Sequence, residues 1–161
     1  MALRFFSLLI TCYLINLCSA DLNAAEHITG KTVLVSKVKK NWNDAKNFCK
    51  TKGYNLAMTK TKQEQYELSI IIEKWTLEQH IWVGGHKDAK DNDFKWNDDG
   101  KLVAKEKTQN TFANWAKGKP GNPKGEACME LEFNKSKNIY GEWNSADCSK
   151  QHIFVCEKRS A

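Results

Sequence analysis

Carboxylates and cysteines are the side chains of this sequence whose type and spacing point to chemistry. Five aspartates crowd one short stretch, a density that suggests a cation site: Asp88, Asp91, Asp93, Asp98 and Asp99. An EF-hand loop binds Ca²⁺ through oxygen ligands at fixed positions, and it needs an internal glycine and a closing glutamate. This stretch lacks both at the required positions, so we interpret it as a solvated acidic loop.

The cysteines indicate a disulfide framework rather than a metal site. Two of the six lie in the N-terminal segment, and four follow it: Cys49, Cys128, Cys148 and Cys156. Four cysteines in an extracellular domain form two disulfides, and three pairings are open. The sequence has no C-x-x-C pair and its four histidines are scattered, so a structural zinc site is not expected. It also has no recognisable set of nucleophile, base and orienting group, which argues against an enzyme.

The N-terminal segment predicts secretion. Arg4 precedes a mostly apolar run from Phe5 to Leu17, and small residues suited to cleavage follow at 18–20. The run is shorter than the roughly 20 apolar residues that span a bilayer. We therefore expect residues 1–20 to be a cleaved signal peptide and residues 21–161 to form one secreted domain that does not insert into a membrane.

Composition and charge favour one soluble domain and disfavour a nucleic-acid partner. The chain has 161 residues, of which 41% are hydrophobic and 27% are charged, and its formal net charge is +6. Lysine supplies almost all of the positive charge, because Arg159 is the only arginine after residue 20. Lysine lacks the bidentate fork with which arginine reads bases and phosphates.

Two helices are predicted in the first half, after a short β-branched strand at Thr32 to Val35. Asn41 can cap the first helix, and Gly53 supplies its stop. Thr61 and Glu64 form a capping box that opens the second helix. The residues that recur at helical spacing are Trp42, Ala45, Phe48 and Cys49 in the first helix and Leu68, Ile71, Ile72 and Trp75 in the second.

The second half predicts strands on either side of a long irregular segment. A buried strand at 81–83 should end at Gly84 and Gly85, where the backbone turns or packs closely. Residues 86–125 have little periodicity, and such long loops usually carry function. The aromatic residues that should anchor this loop to the core are Phe94, Trp96, Phe112 and Trp115.

Alternation returns at the C-terminal end of the chain. Three apolar residues, Met129, Leu131 and Phe133, alternate with Glu130 and Glu132, as in a half-buried strand with its glutamates exposed. Further strand patterns lie at 139–143 and 153–155. Two helices followed by several short strands predict an α+β domain.

Taken together, these residues resemble the C-type lectin-like domain, in the short form of small secreted insect lectins. The resemblance covers a core of about residues 33–157. It is carried by Trp42, Ala45, Cys49, Gly53, Leu56-Ala57, Trp82-Val83-Gly84, Phe94-Lys95-Trp96, Gly100, Asn114-Trp115, Glu126, Cys128, Trp143-Asn144, Cys148 and Phe154-Val155-Cys156-Glu157. The resemblance implies an α+β fold with two helices, small antiparallel sheets and a long binding loop, and disulfides that pair Cys49 with Cys156 and Cys128 with Cys148.

The resemblance also implies a calcium site whose ligands are largely missing. Sugar-binding members hold Ca²⁺ with a Glu-Pro-Asn or Gln-Pro-Asp triplet, a following Glu, and the Asn-Asp of a Trp-Asn-Asp triplet. Here the first triplet is Lys-Pro-Gly and the last is Trp-Asn-Ser, so Lys119 replaces an oxygen ligand and Ser145 replaces a carboxylate. Glu126 and Asn144 remain as metal-ligand candidates, and Asn122 contributes only if the register shifts. Because Ca²⁺ needs several anionic oxygens, we expect no tight Ca²⁺ binding and no other cofactor.

The family's auxiliary calcium site is also incomplete. Asp91, Asn122 and Glu126 are candidates for it, but Lys87 and Ala127 stand where acidic residues are usual.

The environment of Lys119 is left open by the sequence. Its ammonium either points into water or replaces the ion by pairing with Glu126. Pro120 matches a position whose peptide bond is commonly cis in the family.

Three functions follow from the resemblance and the charge. The first is a carbohydrate-binding module that works weakly or without calcium, with Lys119, Asn122, Glu126, Asn144 and Ser145 at its ligand site. The second is a module of the immune or salivary anticoagulant type, whose long loop binds an extracellular protein. The third is electrostatic binding of sulfated glycans or microbial surfaces by two lysine groups, Lys37, Lys39, Lys40 and Lys117, Lys119, Lys124. We expect a monomer or weak oligomer.

A modification site is also predicted. Asn134-Lys135-Ser136 is an N-glycosylation sequon in an expected turn, so Asn134 is a candidate acceptor.

Restoring the missing ligands should create calcium affinity. We expect the triple variant Lys119→Glu, Gly121→Asn, Ser145→Asp to bind Ca²⁺ in isothermal titration calorimetry, because it adds oxygen ligands and removes a cation. A Lys37→Glu, Lys137→Gln variant makes the same change of three charge units elsewhere and controls for charge alone. A triple variant that binds no Ca²⁺ would show that these residues are wrongly matched to the family site.

Overall fold

The computed structural model describes residues 21–87, 93–121 and 126–159. Within them lie two α-helices, eight strands and one 3₁₀ turn, Lys135–Lys137. The helices are α1 (Trp42–Thr51) and α2 (Lys62–Trp75). The strands are β1 (Glu26–Ile28), β2 (Lys31–Val35), β3 (Asn55–Leu56), β4 (His80–Lys87), β5 (Phe94–Trp96), β6 (Glu126–Asn134), β7 (Ile139–Asp147) and β8 (Ile153–Arg159). The predicted signal segment, residues 1–20, lies outside the described residues.

Both predicted helices form with the predicted caps. The Asn41 side chain accepts a hydrogen bond from the Asp44 amide at 2.9 Å, and Gly53 follows α1 with φ +77°, which glycine adopts without strain. The Thr61 hydroxyl and the Glu64 carboxylate form the reciprocal capping box of α2. These caps satisfy amides at the helix starts, which lack carbonyl partners inside the helix.

The strands form one sheet in the order β1-β2-β8-β4-β6-β7, with β3 added to β8 and β5 added to β4. All pairs are antiparallel except β4 and β8, which run parallel. One cluster of buried residues packs α1 against β3 and β8, and a larger one packs α2 against the rest of the sheet. This arrangement confirms the α+β prediction.

The two disulfides have the pairing that the resemblance implies. Cys49–Cys156 joins α1 to β8 across 107 residues, and Cys128–Cys148 joins β6 to the turn after β7 across 20 residues. In the chain-entropy model, closures of this length stabilise a domain by about 3 to 5 kcal/mol each. The second disulfide also fixes the base of the β6–β7 hairpin.

Strand β4 corrects one prediction, because it continues through its two glycines to Lys87 instead of ending there. The glycines serve close packing. A Cβ at Gly84 would collide with the Asn97 side chain, and one at Gly85 would collide with Met129. The strand can therefore lie against β6 and the start of the long loop.

Strand β6 corrects a second prediction. Met129 and Leu131 are fully buried, as the alternation predicts, but Glu130 is only 2% exposed. Alternation assumes that one face of a strand meets water, and here both faces of β6 are covered at Glu130.

A buried ion-pair network joins β2, α2 and β8. The Lys31 ammonium lies 2.9 Å from Glu157 Oε2 and 2.9 Å from Glu64 Oε1, and it donates to the Met58 carbonyl at 2.8 Å. The side chains of Lys31 and Glu157 are each 2% exposed. Burial raises the pKa of Glu157, and the Lys31 ammonium opposes that rise. Lysine thus neutralises a carboxylate that water does not reach.

Removing this lysine should destabilise the fold strongly. Lys31→Met leaves the Glu157 charge buried without its main partner, a loss typically worth about 3–5 kcal/mol. The matched control is Lys39→Met, which breaks the exposed pair Lys39–Glu78 and should cost about 0–1 kcal/mol. Guanidinium unfolding of both variants measures the two losses, and equal losses would contradict the account.

Candidate functional site

The long loop is anchored by aromatic residues around Trp143 of β7, as the sequence predicts. Trp143 is 1% exposed, and three rings meet it edge-on with centroids 5.3–5.9 Å away: Trp96, Phe112 and Trp115. The backbone adds to this anchor. The Trp143 amide donates to the Asn114 carbonyl at 2.7 Å, and the Trp143 carbonyl accepts from the Ala116 amide at 2.8 Å. The loop is therefore fixed where it leads to Lys119.

Lys119 and Pro120 form one wall of a pocket of about 300 Å³, which we call the loop pocket. The Lys119–Pro120 peptide bond is cis. Two aromatic side chains, Phe94 and Trp115, line the pocket together with Lys105. The lining thus combines aromatic side chains with two lysines and one carboxylate residue, Glu106.

The Lys119 ammonium faces the end of β7. It donates a hydrogen bond of 3.4 Å to the carbonyl of Ser145, a residue that is 2% exposed. This contact does not match the hypothesis that the ammonium points only into water. Pairing with Glu126 stays a prediction, because the Glu126 side chain lies outside the described atoms.

Asn144 has protein partners on both ends of its amide. Its Nδ2 donates to Glu130 Oε1 at 3.1 Å, and its Oδ1 accepts from the Ser145 amide at 2.9 Å. These two bonds fix the orientation of the Asn144 amide against Glu130 and the Ser145 backbone.

The other predicted ligands are described only in part. Asn122 and Asp91 lie outside the described residues, and the Glu126 backbone pairs with Asp147 at the start of β6. In the acidic stretch, Asp98 and Asp99 pair with Lys60. Among residues 21–87, 93–121 and 126–159, no group of three or more His, Cys, Asp or Glu side chains is arranged to hold a metal ion.

Beside Asn144 lies a polar cluster that the sequence did not predict. The buried carboxylate of Glu130 lies beside two histidines. Its Oε1 is 3.0 Å from His80 Nδ1, and its Oε2 is 3.2 Å from His152 Nε2. The imidazole of His152 also packs on Trp82, with ring centroids 4.5 Å apart. These histidines are far apart in sequence, and only the pairing of β4 with both β6 and β8 brings them together.

The surroundings of the two histidines shift their pKa values in opposite directions. The hydrogen bond with Glu130 raises the pKa of His80, and burial partly opposes it. Burial lowers the pKa of His152, and this effect outweighs its attraction to Glu130. Glu130 therefore favours the cationic form of His80, and it also accepts a hydrogen bond from Asn144.

The chain matches one family model. Residues 38–158 match the model described as Lectin C-type domain. Salivary C-type lectin 1 of Aedes albopictus is 31% identical over 123 residues, which cover 73% of this chain and 76% of the relative.

Two solved structures share the fold. The mouse scavenger receptor C-type lectin carbohydrate-recognition domain has a TM-score of 0.69 and 26% identity, over 89% of this chain and 98% of the other. A Ca²⁺-independent C-type lectin, SPL-2 from Saxidomus purpuratus, has a TM-score of 0.67 and 25% identity, over 83% and 90%. No helix among the described residues is long and apolar enough to cross a membrane.

The His80–Glu130 contact should make stability depend on pH. Because the pKa of His80 is raised in the folded state, His80 adds to the free energy of unfolding. This contribution is fully present below the unfolded pKa, about 6.5, and is lost as pH rises through the folded pKa. In urea unfolding, the free energy of unfolding of the native chain should therefore exceed that of the His80→Gln variant most near pH 6, and by less near pH 9. The exposed His27→Gln is the control, and an advantage that grows with pH would contradict the assignment.

Proposed function

The chain belongs to the C-type lectin domain family, and from that premise we propose that it is a secreted domain that binds a glycan in the loop pocket without calcium. The family is non-enzymatic, and its domains recognise carbohydrate or protein ligands. The proposal of secretion rests on the apolar segment at 5–17 and on the two disulfides. The salivary name of the Aedes relative agrees with it.

The position of the Lys119 ammonium is the main support for ligand binding without calcium. It lies 3.4 Å from the Ser145 carbonyl, at the end of β7 where the family places oxygen ligands. A divalent cation near this ammonium would meet like-charge repulsion, which is several kcal/mol at short range in a partly buried site (about 4 kcal/mol per unit charge at 4 Å). The ammonium supplies local positive charge in place of an ion.

The neighbouring donors support the same proposal. Asn144 uses both ends of its amide within the protein, Ser145 is buried, and Gly121 has no side chain. Ca²⁺ takes six to eight oxygen ligands. We infer that the described residues of this site do not fit the ion, and the structural likeness to a lectin called Ca²⁺-independent supports that inference.

The loop pocket is suited to a sugar. Its volume of about 300 Å³ lies at the lower end of the range for small-ligand pockets. The half-buried ring of Trp115 can pack on the apolar face of a pyranose, and Phe94, which is 3% exposed, supports that ring from the core. The Lys119 ammonium can donate to hydroxyl or carboxylate oxygens. Lys105 adds a second donor, although it pairs with Asp93.

Sugar binding should survive a chelator and depend on Lys119. We expect the chain to be retained on an immobilised panel of neutral and acidic monosaccharides in EDTA, and Lys119→Gln to weaken that retention at least tenfold. Lys117→Gln removes an exposed neighbouring charge and should have little effect.

The outcomes separate the candidate functions. Retention that requires Ca²⁺ and is abolished by EDTA would overturn the proposal. Retention on no sugar would overturn the glycan ligand and favour an extracellular protein. Equal weakening by Lys117→Gln and Lys119→Gln would favour unspecific electrostatic binding.

A further inference from the structure

A second groove, of about 410 Å³, lies between α2, the long loop and β7. We call it the α2 groove. Tyr66 and Ile70 reach it from α2, Phe112 from the loop and Tyr140 from β7. None of its lining residues lines the loop pocket. Its volume is within the range of small-ligand pockets.

The groove gathers exposed apolar side chains. Tyr66, Ile70 and Tyr140 are 63%, 50% and 48% exposed, and they are three of the five large hydrophobic residues exposed in the described part of the chain. Single exposed apolar residues are common in folded proteins and need no explanation. A cluster of them along one concave surface is typical of a binding site.

The floor of the groove is preformed by side-chain amides. Gln65 donates to Ser69 Oγ and to the Gly141 carbonyl, both at 3.0 Å, and it accepts from Trp143 Nε1 at 2.7 Å. Asn114 donates to the same Gly141 carbonyl at 2.9 Å. Because these bonds join α2, the loop and β7, a ligand would meet a surface that is already ordered, which lowers the entropic cost of binding.

The rim of the groove is positive. Lys62 and Lys107 line it, and neither forms an ion pair with a residue that the structure describes. The one carboxylate of the lining, Glu73, lies 3.5 Å from the Lys135 ammonium. The charge available to a ligand is therefore cationic, which favours an acidic partner.

We propose that the α2 groove is a second binding site, and that it takes an acidic glycan. The rings of Tyr66 and Tyr140 pack on the apolar faces of the sugar rings, and the ammonium groups of Lys62 and Lys107 bind sulfate or carboxylate groups. This site is separate from the loop pocket and does not depend on the function proposed for it.

The backbone of β7 beside the groove does not favour a peptide that binds as an added strand. A ligand held by side chains is favoured instead. A peptide that extends a sheet needs free backbone groups at the edge. The Gly141 carbonyl already accepts from Gln65 and Asn114, and the amide and carbonyl of Trp143 bond to the loop. These edge groups of β7 beside the groove are therefore used.

The test is an NMR titration of the disulfide-bonded chain with a chondroitin sulfate tetrasaccharide. We expect shifts at the amides of Tyr66, Ile70 and Tyr140. The charge-neutral double variant Tyr66→Ser, Tyr140→Ser should weaken binding at least tenfold, and Lys62→Gln, Lys107→Gln should do the same. All four side chains are exposed, so the dispersed spectrum of the folded chain should persist.

Two controls keep the outcomes distinct. Lys37→Gln, Lys137→Gln removes the same charge from elsewhere, and Lys117→Gln removes one exposed charge of the long loop; both should leave the affinity, read at the amides of Tyr66, Ile70 and Tyr140, within about twofold. Equal weakening by the two lysine pairs, or no effect of the tyrosine variant, would overturn the site. If tetraglutamate bound as tightly as the tetrasaccharide and its binding was weakened by the same variants, the proposal of a glycan ligand would be wrong. The groove would then be assigned to an acidic peptide.

Discussion

The packing of Trp143 is the contact on which the candidate surfaces depend. Its side chain is enclosed by aromatic rings of the long loop, its indole nitrogen donates to Gln65 of α2, and its backbone pairs with residues 114–116. The long loop contains one short strand, β5, and the described remainder is mostly irregular, so it depends on contacts with the core for its position. Burying its aromatic side chains around Trp143 of the edge strand β7 positions both the loop pocket and the α2 groove.

Lysine ammonium groups have different roles in the core and at the proposed ligand site. In the core, Lys31 neutralises Glu157 at 2.9 Å where no water reaches either group. At the end of β7, the Lys119 ammonium lies 3.4 Å from the Ser145 carbonyl, and we propose that it takes the place of the metal ion that sugar-binding members hold there. Unlike a bound calcium ion, the ammonium of a lysine side chain is present at every calcium concentration. We therefore expect a recognition surface that works equally at low and high calcium.

The sequence predicted the parts of the fold that local rules govern. Both helix caps, the buried stripe of α2 and the strand at Thr32 to Val35 follow from a few adjacent residues, and the disulfide pairing follows from the family resemblance. Glu130 could not be predicted in the same way. Its burial depends on His80 from β4, on His152, which immediately precedes β8, and on Asn144 from β7. No spacing within β6 indicates that these three residues surround it. The α2 groove was missed for the same reason, because its walls come from three separate parts of the chain.

The central claim is that no calcium ion belongs to the ligand site of the unaltered chain. Isothermal titration calorimetry with CaCl₂, on the disulfide-bonded chain freed of metal by a chelator, tests it most directly. We predict no saturable heat and no calcium-dependent rise in thermal stability at millimolar concentrations. Binding of one or more ions per chain at micromolar concentration, with a matching rise in the midpoint of thermal unfolding, would contradict it.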